Sequence, residues 1–243
     1  MALRRIGKPN FGSAIEVFGL FYIQGLAAFF LIAPLASLSA PLADSSLARA
    51  DEWLGFDWFA YAKITAPFDL PLAVAYRSFA WQPALTALTL FLRGQQERGW
   101  QTLTAAVVAL LITSLIFPFV PAQGSVIHYG ATIPYAPHAS RSAHALLALK
   151  AGQHLLDSSV FTALIAFPSY HSVAAVVFTW ACWRSPLRWL VLILNLLLIA
   201  SALTIGGHFL VDIFAGIAVG IVSIFIASRL VRSHSPLTRT HAS

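Results

Sequence analysis

The sequence predicts an all-α fold, a polytopic membrane protein whose six transmembrane helices form a helical bundle, and three observations carry that expectation. Of 243 residues, 58% are hydrophobic and only 10% are charged, where soluble domains carry about 25% charged residues. Long apolar runs recur between short basic clusters, and the mean hydropathy is +0.77. Ionisable residues stand at the starts of two late apolar runs, where lipid makes them costly unless they are used. One integral membrane domain over 1–243 is expected, because no repeat or low-complexity stretch divides the chain.

The elements follow in order. Arg4, Arg5 and Lys8 precede the first apolar run, 17–37. A signal peptide is the rival reading, because Ala36-Ser37-Leu38-Ser39-Ala40 offers small residues for cleavage. Its apolar core would be about 7–15 residues and this run is roughly 20, so a retained helix is expected. Between 40 and 70, Asp44, Asp51, Glu52, Asp57 and Asp69 interleave with Trp53, Phe56, Trp58, Phe59 and Tyr61. That pattern predicts a short helix at the interface, with its rings at headgroup level. The second span is placed at 71–92 and contains Arg77; a basic turn at 93–98 leads to the third, at 102–120.

The mixed segment 121–166 holds four His, Arg141 and Lys150. It is read as an extracytoplasmic cap with its own helix over 143–156. Spans four, five and six are placed at 168–183, 187–204 and 207–227, and 229–243 is a polar tail. Ten of the fifteen Lys and Arg fall on one side: Arg4, Arg5, Lys8, Arg93, Arg98, Arg184, Arg188, Arg229, Arg232 and Arg239. Loops on the other side carry only Arg49, Lys63, Arg141 and Lys150. The positive-inside rule then puts both termini in the cytoplasm, as in a bacterial inner membrane, and turns the cap outward.

The net charge of +6 and pI near 9.9 would suit nucleic acid, but the bases lie where topology signals lie, so no nucleic-acid partner is expected. Cys182 is the one cysteine, which excludes an intrachain disulfide or thiolate metal site. It is read as packing.

Two motifs carry chemistry. In Gly206-Gly207-His208-Phe209-Leu210-Val211-Asp212 an imidazole stands four residues before a carboxylate. On a helix the two would share a face, and the carboxylate would hold one ring proton and leave the other nitrogen free to attack or coordinate. The glycine pair is read as packing and close backbone approach. In Phe167-Pro168-Ser169-Tyr170-His171-Ser172 the proline suits a first helical turn, which would leave the amides of Ser169, Tyr170 and His171 as donors for an anion. The chain runs about 14 residues from His171 to Arg184 and about 19 from Arg188 to Gly207, roughly 20 Å and 28 Å of helix, so both His residues are expected at one membrane face.

Pro168-Ser169-x-His171 followed by His208-x-x-x-Asp212 resembles the second and third signatures of the type 2 phosphatidic acid phosphatase superfamily. The form GGHFLVDIFAG is most similar to the branch that contains fungal inositol phosphorylceramide synthase and many bacterial membrane phosphatases. The signature-bearing core is 167–220. The resemblance implies that His208 is the nucleophile, that Asp212 orients it, and that His171 protonates the leaving oxygen. There are two departures from the pattern. Ser201 matches the Ser of the usual Ser-Arg before the third-signature His, but Ala202 replaces the Arg. The first signature, Lys-x6-Arg-Pro, is absent, and Lys63-x6-Leu70-Pro71 is read as a chance echo.

The phosphate's charge then needs other cations, and the candidates are Arg77 and Lys150, with Arg141 beside them. Arg77 either snorkels to the headgroups or grips phosphate; Lys150 and Arg141 are either solvated cap residues or phosphate ligands. Ser169 is read as a phosphate or cap ligand. His128, His138, His144 and His154 are read as ordinary loop residues, and no metal or other cofactor is expected. The expected partners are a lipid phosphate and the bilayer. The expected function is a lipid phosphatase or phosphotransferase working through phosphohistidine at the outer face. Transfer of a head group, such as inositol phosphate, to a lipid alcohol is the alternative. A haem-binding electron carrier with His171 and His208 as axial ligands is a distant one, and a non-catalytic scaffold a third.

Overall fold

In the computed structural model, residues 9–38, 40–135, 137–153 and 164–233 are described. Among them there are helices and no strand. Helix α1 spans Pro9–Ser37, α2 Asp44–Trp53, α3 Trp58–Thr65, α4 Asp69–Arg77, α5 Gln82–Leu92 and α6 Gln96–Ile116. They are followed by α7 Ser125–His128, α8 Pro137–Lys150, α9 Tyr170–Cys182, α10 Arg188–Thr204 and α11 Leu210–Ser233.

Phe11–Ser37, Gln96–Phe119 and Leu210–Val231 are each long and apolar enough to cross a bilayer. Gln82–Leu92, Tyr170–Cys182 and Arg188–Thr204 are apolar but shorter. The second expected span, 71–92, is broken by a 3₁₀ turn at Ser78–Ala80. Pro83 has no N–H to give the Phe79 carbonyl, so a continuous helix would lose that bond. The Ser78 hydroxyl donates to the Ala75 carbonyl at 2.6 Å and accepts from Gln82 at 2.9 Å, which ties the two halves together.

Two other expectations shift. The stretch 40–70 holds two short helices, α2 and α3, instead of one, because Asp57 starts a second by accepting from the Ala60 amide at 2.9 Å. The cap helix is α8 at Pro137–Lys150, six residues earlier than expected at both ends, and His154 lies outside the described residues. So do Arg4, Arg5, Lys8 and Arg239.

Helix α11 packs against α6 and α9, α10 against α9 and α4, and α1 against α5 and α6. Ala105, Ala109, Val173, Val177, Val219 and Ala227 form the seam of α6, α9 and α11. Small residues let these backbones approach closely, which is how helices gain contact in lipid. Large side chains such as Leu115, Ile221 and Phe225 point outward, as a lipid-facing surface requires.

Candidate active site

Where α10 ends, the chain must turn sharply. A Cβ on Gly206 would lie 2.6 Å from the Ala202 carbonyl and 2.8 Å from the Tyr76 ring, and Gly207 turns at φ +70°. The His208 amide then donates to the Ala202 carbonyl at 3.0 Å. His208 is therefore not on the helix, as the spacing predicts, but two residues ahead of Leu210. The pairing survives because Asp212, in the first turn, reaches back. Its Oδ2 accepts from the Phe209 amide at 2.8 Å and faces His208 Nδ1 at 3.4 Å. Both side chains are buried. A proton held on Nδ1 leaves the Nε2 lone pair for chemistry.

His171 opens α9 from the other side. Ser169 is the N-cap, its hydroxyl accepting from the Ser172 amide at 3.4 Å. The Ser169 amide is not a free donor as expected: it donates to the Asp212 carbonyl at 3.0 Å. Pro168 likewise precedes the cap instead of filling the first turn. One turn further along α11, a Cβ on Gly216 would stand 2.3 Å from the Ser169 carbonyl, so glycine is what allows the two motifs to touch.

The rings of His171 and His208 are 5.9 Å apart between centroids, at 62°. Tyr76 stacks on His171 at 4.2 Å, with its hydroxyl oxygen 3.5 Å from Nδ1, and Phe79 packs at 4.8 Å. Sequence reasoning missed both aromatics. The only hint was the Pro83 that breaks their helix.

Asp51 is a third residue missed. Its carboxylate accepts from the amides of Leu210 at 2.7 Å and Val211 at 2.9 Å, so the α11 N-terminus is already capped and does not wait for a phosphate. Burial lifts the Asp51 carboxyl above its usual range, and these two amides pull it part of the way back. Asp44 does similar work, accepting from the amides of Gln123 and Gly124. The Ser125 amide in turn donates to the Gly207 carbonyl at 2.7 Å, and its hydroxyl to the His208 carbonyl at 3.0 Å. His128, read as an ordinary loop residue, packs on Phe209 at 5.8 Å.

The structure thus brings His171, His208, Asp212 and Ser169 together. Arg77 stands exposed at the end of α4, directly after Tyr76. Lys150 donates to the Ala40 carbonyl at 2.7 Å, tying α8 to the segment after α1. Arg141 is exposed on α8. Ala202 is wholly buried with Leu203 and Ile213, beside Tyr76, so an arginine there would displace apolar packing.

The family model of the PAP2 superfamily matches residues 45–226, well over half of the chain. The match runs from α2 into α11 and takes in every residue of the His–Asp constellation. No curated protein and no solved structure matches the chain.

Proposed function

This chain belongs to the PAP2 superfamily, and from that premise we propose that it is a membrane phosphatase or phosphotransferase acting on a lipid phosphate or diphosphate through phosphohistidine at His208. The observation that carries the reading is the buried His208–Asp212 pair at 3.4 Å, with the His171 ring 5.9 Å away. Unbound acid–base sites are often this loose and tighten around substrate.

His208 Nε2 attacks phosphorus in line, forming a P–N bond as the P–O bond to the lipid breaks. His171 gives the departing oxygen its proton. Water or an alcohol then passes a proton to His171 while its oxygen attacks phosphorus, and the P–N bond breaks. Water yields a phosphatase and a lipid alcohol a phosphotransferase; the resemblance to the inositol phosphorylceramide synthase branch keeps the second acceptor in the proposal. Ser169 holds the α9 turn under the site. Arg77, exposed at the end of α4, is proposed to meet the phosphate charge, because a guanidinium at a lipid boundary favours an anion it can grip at two oxygens, and Lys150 to assist from the cap. The excess of bases on one side supports a site at the outer face with both termini inside.

His208→Ala should remove roughly 10³-fold or more of phosphate release from a panel of lipid phosphates, with the protein still folded. Near-normal turnover would reject the nucleophile. A Soret band in the purified protein would favour the haem carrier instead.

A further inference from the structure

Helix α2 packs on the turn that carries the nucleophile. Leu47 and Ala48 form a buried cluster with Phe209, and one turn further along α2 the buried Asp51 reaches the start of α11. Its Oδ2 accepts from the Leu210 amide at 2.7 Å and its Oδ1 from the Val211 amide at 2.9 Å. The next residue in the chain is Asp212, whose Oδ2 serves the Phe209 amide and faces His208 Nδ1. Three successive amides at one helix end are thus divided between two carboxylates, two going to Asp51 and one to Asp212.

The division has a chemical consequence, because the open amides and dipole of a helix N-terminus attract any carboxylate within reach. With the Leu210 and Val211 amides open, the Asp212 carboxylate in the same turn would be drawn to them and away from the imidazole. The charge on Asp51 is a second sign. Asp212 feels that charge, and like charges at one site repel. A neutral Asn or Ser caps a helix end about as well as Asp does, so capping alone gives no reason to bury a second carboxylate here. Beside His208 it has a use: it offsets the positive helix end, which would otherwise weaken Asp212 as the acceptor of the Nδ1 proton. We propose that Asp51 is a positioning residue for the nucleophile, occupying the Leu210 and Val211 amides so that Asp212 stays on His208 and keeps the ring proton on Nδ1. This rests on the reaction proposed above and assigns a role in it to a residue that touches neither substrate nor the reacting atoms.

The test compares Asp51→Asn with Asp57→Asn, each in the full chain in vesicles. Asn offers one acceptor oxygen and no charge, so Asp51→Asn releases one of the two amides. Asp57 caps α3 through the Ala60 amide, and its variant is the control for losing a carboxylate cap away from the nucleophile. Magnetic resonance of isotopically labelled histidine nitrogens, recorded where the ring is neutral, reports which nitrogen holds the proton. The His208 signal is the one absent from His208→Gln. In the wild type and in Asp57→Asn the proton is expected on Nδ1, and in Asp51→Asn the form protonated on Nε2 should appear. In the same variant kcat for an alkyl lipid phosphate should fall roughly tenfold or more, the scale of one charged hydrogen bond, with KM held within about twofold. A wild-type proton on Nε2 overturns the proposal, as does an unmoved proton in Asp51→Asn whatever its kcat. An equal change in both variants, or an Asp51→Asn chain that does not fold, makes Asp51 a structural cap and overturns it too. A proton that moves in a protein releasing phosphate from no substrate keeps the positioning role and rejects the reaction.

Discussion

In the proposed mechanism a single phenol oxygen at His171 favours one ring nitrogen over the other. With the Tyr76 hydroxyl oxygen 3.5 Å from Nδ1, an N–H held there leaves Nε2 as the atom that gives and takes the proton. Tyr76→Phe keeps the stacked ring and removes the oxygen. A hydrogen bond is worth about 0.5–1.5 kcal/mol, so kcat for an alkyl phosphate should fall roughly two- to tenfold. An aryl phosphate, whose leaving group needs less help from a proton, should lose less, and KM should hold. Equal losses on both substrates would reduce Tyr76 to packing. The His208–Asp212 pair is legible in the sequence because its partners sit one turn apart. Tyr76 is not: its contact crosses 95 residues, and nothing in an apolar run distinguishes the ring that faces a histidine. Asp51 is hidden for the same reason, since the amide it caps is 159 residues away.

Between helices, glycine sets the distance. Gly216 stands where a Cβ would lie 2.3 Å from the Ser169 carbonyl, and at Gly220 a Cβ would meet the Val176 side chain at 3.1 Å. Gly216→Leu would push α9 and α11 apart at the level where Ser169 meets Asp212. Overpacking of this kind costs about 1–3 kcal/mol, and phosphate release should drop at least tenfold. Gly19→Leu on α1, where a Cβ meets nothing within 4 Å, should leave release unchanged. Full activity in Gly216→Leu would mean that this approach does not set the site. The helices at Gln96–Ile116 and Leu210–Ser233 were readable because long apolar runs have one use in lipid. The break at Ser78–Ala80 and the early start of α8 were not. The first depends on what Pro83 denies its neighbour, and the second begins in a Ser- and His-rich stretch with no apolar period to mark it.

For the whole molecule, orientation is the property that residue counting proposes and labelling can decide. Cys182 is buried, so one introduced thiol can be read above the native background. Trp53 at the end of α2 is 94% exposed. Trp53→Cys should react with a membrane-impermeant maleimide in intact cells, and Arg93→Cys only after permeabilisation. The opposite pattern inverts the proposed topology. The Asp51 carboxylate also sets an order of events during synthesis. It sits on α2, made early, and the amides it holds belong to α11, the last helix described. Until the ribosome has delivered residues 208–212, Asp51 has no helix end to cap, the Ser125 amide has no Gly207 carbonyl, and His171 faces no second imidazole. A nascent chain whose earlier helices are already in the bilayer therefore lacks the His208–Asp212 half of the proposed site until α11 has been released.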